Sequence, residues 1–115
     1  MSDSQLSITV ESLKRVELFT IAGRIDSSNA NELDDALKEA TNNGRHNLVL
    51  ELSGVSYMSS AALRAMVSAM RECKKRNGAV KLANVSERVA EVLSLAGLDS
   101  IFDSFGDATT AVGSF

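Results

Sequence analysis

Residues 48–64 read LVLELSGVSYMSSAALR, and the change of pattern within this stretch decides the fold. The first five residues form a short apolar run of the kind that fills a buried parallel strand. Beyond the serine pair, apolar residues recur every three to four positions and predict a helix that continues to about Arg76. The adjacent hydroxyls of Ser59 and Ser60 therefore lie where the predicted helix begins.

A serine at the start of a helix has two roles open to it. Its side chain can accept a hydrogen bond from a backbone amide that has no partner within the helix, which is the ordinary capping role. The same amides and the positive end of the helix dipole also favour an oxyanion placed on the hydroxyl. Capping is the commoner explanation of a serine pair before a helix, and it is compatible with modification.

The rest of the chain alternates predicted strands and helices around this stretch. Strands are predicted at residues 6–10, 16–21, 47–52 and 79–82, with a last short strand starting at Ile101 and Phe102. Helices are predicted after capping residues in the segment 27–29, at Ser59 or Ser60, at Ser86 and at Asp107. The order β-β-α-β-α-β-α-β-α predicts a mainly parallel α/β sheet of about five strands, with an antiparallel edge hairpin and about four helices.

Composition limits the classes of protein that the chain can belong to. A length of 115 residues without proline or tryptophan fits one domain over residues 1–115. A net charge of −3, with lysine and arginine spread along the chain, lacks the basic stripe of a nucleic-acid-binding protein. The single cysteine, Cys73, excludes an internal disulfide and is expected to be buried. We expect protein partners, with no nucleic acid, metal or cofactor.

The apolar runs are too short for insertion into a membrane. A membrane-spanning helix needs roughly 18 consecutive apolar residues, and no stretch of this sequence reaches that length. The amino terminus is polar and lacks the basic and apolar blocks of a secretory signal. We therefore expect a cytoplasmic protein.

Polar residues follow two of the predicted strands. In an open α/β sheet, functional sites gather outside the carboxyl ends of the strands. If the second strand and the central strand are neighbours, Asp26 and Ser27 come close to Ser59 and Ser60. Arg64 follows one helical turn after the second serine and is either surface charge or a contact for a phosphate or a partner. The polar patch is compatible with a catalytic site, a phosphate site or a docking surface.

A serine hydrolase is the catalytic alternative, and the sequence disfavours it. The glycines of a G-x-S-x-G nucleophile elbow are absent around the serine pair. The only imidazole, His46, precedes the central strand, so roughly 20 Å of strand separates it from the serines. No glycine-rich nucleotide-binding loop occurs either. These absences leave the serines without an obvious base or cofactor.

Three segments resemble those of a known family. The run at residues 48–64 is similar to the signature of the STAS domain, as found in bacterial anti-sigma factor antagonists. Gly23-Arg24-Ile25-Asp26 resembles the family's Gly-x-hydrophobic-Asp element, and the segment from Val85-Ser86 to Leu98 resembles its later helix. The resemblance covers nearly the whole chain and implies a single-domain STAS-like fold.

The resemblance also implies a function and a set of site residues. In that family the anti-sigma factor is a serine kinase that phosphorylates the antagonist at the start of the helix after the central strand. The unmodified antagonist binds the kinase and frees the sigma factor. The implied phosphorylated residue is Ser60, with Ser59 as second candidate, and the implied partners are an anti-sigma factor serine kinase and a serine phosphatase. The switch surface would comprise Asp26, Ser27, Met58, Ser59, Ala61 and Arg64.

The sequence departs from the family pattern at two positions and leaves one further alternative open. The family often has aspartate where this chain has Ser59, and glycine where it has Ala62. The alternative is a STAS-like adaptor, such as a subunit of a transport or signalling assembly, that is not controlled by phosphorylation. In neither case is the chain expected to be an enzyme.

Overall fold

The sheet forms around two long neighbouring strands in the computed structural model, which describes residues 5–115. Five strands lie in the spatial order β1-β2-β3-β4-β5. The first pair is antiparallel and the other pairs are parallel, which confirms the predicted topology. The elements are β1 (Leu6–Leu13), β2 (Val16–Ile25), α1 (Ala30–Asn42), β3 (Asn47–Met58), α2 (Ser60–Lys75), β4 (Ala79–Ala83), α3 (Glu87–Leu95), β5 (Ser104–Phe105) and α4 (Ala108–Gly113).

The central strand β3 is buried on both faces of the sheet. Leu48 and Leu50 belong to the main core, together with the apolar residues of α1, α2 and α3. Val49 belongs to a smaller cluster, which includes Ala111 of α4. Because successive side chains of a strand point to opposite faces, a doubly covered strand needs a continuous apolar run. This requirement explains the LVL sequence from which the fold was predicted.

Both long strands extend further than the sequence pattern predicted. The pattern ended β3 at residue 52, but Val55 and Met58 are also buried and the strand continues to Met58. Two register shifts in the pairing with β2 accommodate the extra length. The predicted end of the central strand is therefore six residues too early, and only Ser59 separates β3 from α2.

The carboxyl-terminal third differs from the prediction in two details. The last strand is Ser104–Phe105 and does not start at Ile101 and Phe102. Phe102 is 3% exposed and packs in the main core, although it lies before the strand. Its apolar side chain therefore indicates burial and not strand structure. Ala96 has the helical spacing of the apolar residues Val89, Val92 and Leu93, which predicts that it faces inward. It is exposed, because α3 ends at Leu95.

The predicted capping residues of α3 and α4 are confirmed. The Oγ of Ser86 accepts a hydrogen bond from the amide of Val89 at 3.2 Å. Asp107 Oδ1 accepts one from the amide of Thr110 at 2.7 Å. Gly97 has a φ of +74°, as predicted for the left-handed residue that ends α3.

The burial of Cys73 agrees with the sequence analysis. Cys73 is fully buried, and this burial raises the pKa of its thiol to about 11. The thiol therefore stays protonated and unreactive at neutral pH. Between residues 5 and 115 there is no helix that combines the length and the hydropathy required to cross a membrane.

The turn between α2 and β4 requires a glycine for reasons of space. Asn77 adopts the left-handed conformation with a φ of 64°. The backbone of the next residue, Gly78, then packs closely against His46, which immediately precedes β3. A Cβ atom on Gly78 would lie 1.9 Å from the carbonyl oxygen of His46. That oxygen accepts a hydrogen bond from the amide of Ala79 at 3.0 Å, which starts the pairing of β3 with β4. The close approach and the strand pairing therefore depend on each other.

Replacing Gly78 with alanine should destabilise the protein by about 1–3 kcal/mol, because backbone atoms must move to relieve the contact. Gly106→Ala is the matched control, since a Cβ there has no neighbour within 4 Å. Urea denaturation of both variants measures the difference. Equal unfolding midpoints for the two variants would show that the turn does not depend on close approach.

Candidate functional site

The carboxyl ends of β2 and β3 meet at one edge of the sheet. Ile25, the last residue of β2, pairs with Met58, the last residue of β3. The amide of Ser59 then donates a hydrogen bond to the carbonyl oxygen of Ile25 at 2.8 Å. This bond ties the start of α2 to the end of the neighbouring strand. The two strands are thus neighbours, as the juxtaposition of the two polar loops requires.

The adjacent serines differ in what their hydroxyls do. Ser59 is the N-cap of α2, and its Oγ accepts a hydrogen bond from the amide of Ala62 at 3.3 Å. Its side chain is half-buried. Ser60 is the first residue of the helix and is exposed, and within residues 5–115 its hydroxyl has no hydrogen-bond partner. One serine therefore stabilises the helix, while the other presents a free hydroxyl to solvent.

Asp26 is held by its own loop. Its Oδ1 accepts hydrogen bonds from the amide of Ser28 at 2.9 Å and from the Ser28 hydroxyl at 2.6 Å. These bonds lower the pKa of the Asp26 carboxyl below its ordinary value of 3.8, so the group is ionised at neutral pH. Ser27, between the two, is exposed. The loop therefore presents a fixed negative charge at the same edge as the serine pair.

The predicted side-chain cap of α1 is absent, because Asn29 is used elsewhere. Asn29 occupies the N-cap position without a capping hydrogen bond from its side chain. Instead its Oδ1 accepts from the amide of Asp26 at 2.9 Å, and its Nδ2 donates to the carbonyl oxygen of Arg24 at 2.9 Å. Asn29 is 6% exposed. The buried Asn29 side chain therefore joins two backbone groups and stabilises the conformation of the loop after β2.

A groove of ≈ 420 Å³ runs between α1 and α2 beside the serine pair. Alanine and serine side chains make up most of its lining. Three of the predicted site residues, Ser27, Ala61 and Arg64, line this groove. Asp34 also lines it, and its carboxylate is 2.8 Å from the ammonium of Lys38.

Met58 does not lie on the surface, contrary to the prediction. It is 3% exposed and packs in the main core. The physical reason is the extra length of β3: Met58 is the last residue of a strand rather than part of an exposed turn. Its contribution to the site is to anchor the backbone from which Ser59 and Ser60 follow.

The sequence analysis missed a contact between Arg24 and Tyr57. The guanidinium carbon of Arg24 lies 4.5 Å from the centroid of the Tyr57 ring, a cation–π geometry. The two residues are partners in the register of β2 and β3. Two register shifts in the pairing of β2 with β3 precede this pair. The positions of the two residues along the chain therefore could not have predicted that they are partners. Besides Arg64, Arg24 is thus a second cation at this edge of the sheet, one residue before Ile25.

The described residues offer no alternative chemistry at this edge. No group of three or more histidine, cysteine, aspartate or glutamate side chains between residues 5 and 115 is arranged to hold a metal ion. His46 immediately precedes β3, so the twelve residues of this strand separate it from Ser59. Within the described residues, the serine pair is therefore accompanied by neither a metal-ligand cluster nor a histidine.

Comparison with known proteins identifies the family. The STAS domain profile matches residues 7–111. The chain belongs to the STAS-domain family. The match includes every strand and helix except the first residue of β1 and the end of α4.

Several proteins that are similar to this chain are named as anti-sigma factor antagonists. The anti-sigma-B factor antagonist of Bacillus subtilis (strain 168) is 37% identical over 83 residues, which cover 72% of this chain and 75% of that protein. A crystal structure of an anti-sigma factor antagonist from Mycobacterium paratuberculosis superposes with a TM-score of 0.86 at 21% identity, covering 98% of this chain and 96% of that one. The Bacillus cell fate determinant SpoIIAA in its phosphorylated form superposes with a TM-score of 0.76 at 18% identity, covering 94% and 98%.

Removing the Ser59 hydroxyl should cost more stability than removing the Ser60 hydroxyl. We expect Ser59→Ala to lower the free energy of unfolding by about 1 kcal/mol, since the amide of Ala62 loses its cap. Ser60→Ala should change it by less than about 0.5 kcal/mol, because an exposed hydroxyl without a partner is removed. Urea denaturation of the two variants makes the comparison. A larger loss in Ser60→Ala would contradict the division of roles between the serines.

The Asp26 carboxyl should titrate below pH 3.8, and Ser28 should be the cause. Because the pKa is lower in the folded state, ionised Asp26 favours folding above that pH, and this contribution disappears as the pH falls through the lowered pKa. Carbon-detected NMR titration should show a higher Asp26 pKa in Ser28→Ala and no change in Ser27→Ala. An unchanged pKa in Ser28→Ala would remove Ser28 as the cause.

Proposed function

We propose that this STAS domain is an anti-sigma factor antagonist that is switched by phosphorylation of Ser60. The observation that carries the proposal is the exposed Ser60 hydroxyl without a hydrogen-bond partner at the first residue of α2. The names of its relatives support the regulatory class of function. The partner would be an anti-sigma factor with serine kinase activity, and a serine phosphatase would reset the switch.

The difference between the two serines favours Ser60 as the modified residue. Phosphorylation transfers the γ-phosphoryl group of ATP to the serine Oγ, which loses its proton, and ADP leaves. On Ser59 this transfer would replace a half-buried capping hydroxyl and disturb its bond to the amide of Ala62. On Ser60 it requires no bond within the described chain to break. The accessible hydroxyl is therefore the better acceptor.

The switch would act through surface charge while the fold stays the same. A phosphoserine adds about −1.5 to −2 charges at neutral pH, and the start of a helix accommodates them without unwinding. The phosphorylated and the unphosphorylated forms of SpoIIAA both superpose on this chain, with TM-scores of 0.76 and 0.81, which supports this expectation. A partner built to cover a neutral Ser60 would have to desolvate a dianion close to the ionised Asp26. Phosphorylation should therefore release the partner.

The partner-binding surface proposed here lies around the edge at which β2 and β3 end. It consists of the Asp26 loop, the serine pair and the first turns of α2. Binding to the kinase would release the sigma factor, so the protein would regulate transcription in the bacterial cytoplasm. The residues of this surface are Asp26, Ser27, Ser59, Ser60, Ala61 and Arg64.

Phosphorylation can be tested directly with a purified serine-kinase anti-sigma factor that binds the chain. Incubation with ATP followed by tandem mass spectrometry should find one phosphate on Ser60. Ser60→Ala should remain unmodified, whereas Ser59→Ala should still be modified. A phosphate on Ser59 would correct the site. No phosphate at all, with a kinase active on its own substrate, would favour a STAS-like adaptor.

The release step can be tested with a charged and a neutral substitution of similar size. Ser60→Asp should weaken binding to the kinase at least about tenfold, which corresponds to ~1.4 kcal/mol. Ser60→Asn matches aspartate in size without its charge and should bind more tightly than Ser60→Asp. Isothermal calorimetry measures the affinities, and circular dichroism should be unchanged in both variants. Tight binding by Ser60→Asp would refute repulsion as the cause of release.

A further inference from the structure

Arg64 lies one helical turn after Ser60 on the exposed side of α2. Both side chains are exposed, and residues four apart on a helix are surface neighbours with Cβ atoms about 5–6 Å apart. The same spacing already forms an ion pair elsewhere in this protein: Asp34 and Lys38 of α1 lie 2.8 Å apart. A charged group on Ser60 would therefore be within reach of the Arg64 guanidinium.

The Arg64 charge has no anionic partner among residues 5–115. None of the ion pairs of this part of the chain includes it. Asp34 lines the same groove, but Lys38 already neutralises its carboxylate. Arg64 is thus a free cation beside the proposed site of phosphorylation.

We propose that Arg64 is the intramolecular partner of the phosphate on Ser60, an inference that rests on the proposed function. A planar guanidinium donates two parallel hydrogen bonds to phosphate oxygens. An anion placed four residues before a cation is also the favourable order on a helix, because it agrees with the helix dipole. Arg64 therefore holds the phosphate against the surface of α2.

This pairing gives phosphorylation a second effect on the groove. In the unmodified protein, Arg64 presents a positive charge at the groove between α1 and α2. Once it binds the phosphate, that charge is no longer available to an acidic group of a partner. Modification thus adds an anion at Ser60 and neutralises a cation next to it. Both changes weaken the binding of a partner that carries an acidic side chain toward the groove.

The pair can be measured by ³¹P NMR on the full chain with phosphoserine incorporated at position 60 during translation. The second pKa of the phosphate should be about 0.2–0.4 lower in the otherwise unchanged chain than in Arg64→Gln, because the guanidinium favours the dianion. Asp26 and Asp34 oppose the dianion, and Arg24 favours it, but all three are common to both proteins. Arg64→Lys keeps the charge and should have an intermediate pKa.

Arg71→Gln is the matched control for a change in net charge. Arg71 is exposed on the same helix, seven residues after Arg64, and so lies on the same face but about three turns from Ser60. The phosphate pKa should be the same in Arg71→Gln as in the unchanged chain. Equal pKa values with and without Arg64 would overturn the inference. So would an equal shift in Arg71→Gln, since it would reflect overall charge.

The test separates this inference from the proposed function, because no kinase is used to place the phosphate. If a kinase modifies Ser60 but the titration shows no dependence on Arg64, the switch stands and the Arg64 pair is wrong. If the titration shows the pair but the kinase leaves Ser60 unmodified, the pairing geometry stands and the regulatory proposal fails.

Discussion

The parallel pairing of β2 with β3 is the constraint on which the candidate site depends. It brings the two strand ends together at Ile25 and Met58, and the bond from the Ser59 amide to the Ile25 carbonyl continues the pairing into α2. Met58 is buried in the main core, so its backbone is fixed by packing. Ser60 follows two residues later. Its hydroxyl is thus presented from a rigid junction of strand and helix rather than from a mobile loop.

The sequence predicted the parts of this arrangement that local patterns control. Apolar residues at helical spacing gave α1 and α2, and the side chains of Ser86 and Asp107 identified the starts of α3 and α4. The alternation of strands and helices gave the parallel sheet. The close approach of the two polar loops followed from the assumption that β2 and β3 are neighbours, which the pairing now shows.

The parts that could not be predicted depend on contacts between distant residues. Gly54 interrupts the apolar pattern of β3, and only the irregular pairing with β2 carries the strand on to Met58. A Cβ on Gly54 would lie 2.8 Å from the Ala22 Cβ, so the glycine reflects close strand approach rather than a turn. The same irregular register pairs Arg24 with Tyr57. For Met58, the switch surface implied by the family resemblance required exposure, whereas tertiary packing buries the side chain.

The site combines a fixed scaffold with a small number of exposed charges. Ser59 is used for structure, Ser60 is free, and Asp26 and Arg64 provide opposite charges nearby. A change of two charges on Ser60 can therefore alter recognition without altering the packing beneath it. The packing of the core and the charge of the surface can thus change independently at this site.

The ¹H–¹⁵N spectrum of the chain with phosphoserine at position 60, compared with that of the unmodified chain, tests whether phosphorylation leaves the fold unchanged. If only the surface charge changes, chemical-shift changes should be confined to residues around 25–34 and 58–68, at the edge where β2 and β3 end and along the first turns of α2. The amides of β4 and α3 should keep their positions. Widespread changes in β4 and α3 would show that phosphorylation alters the fold, and would contradict a switch of surface charge.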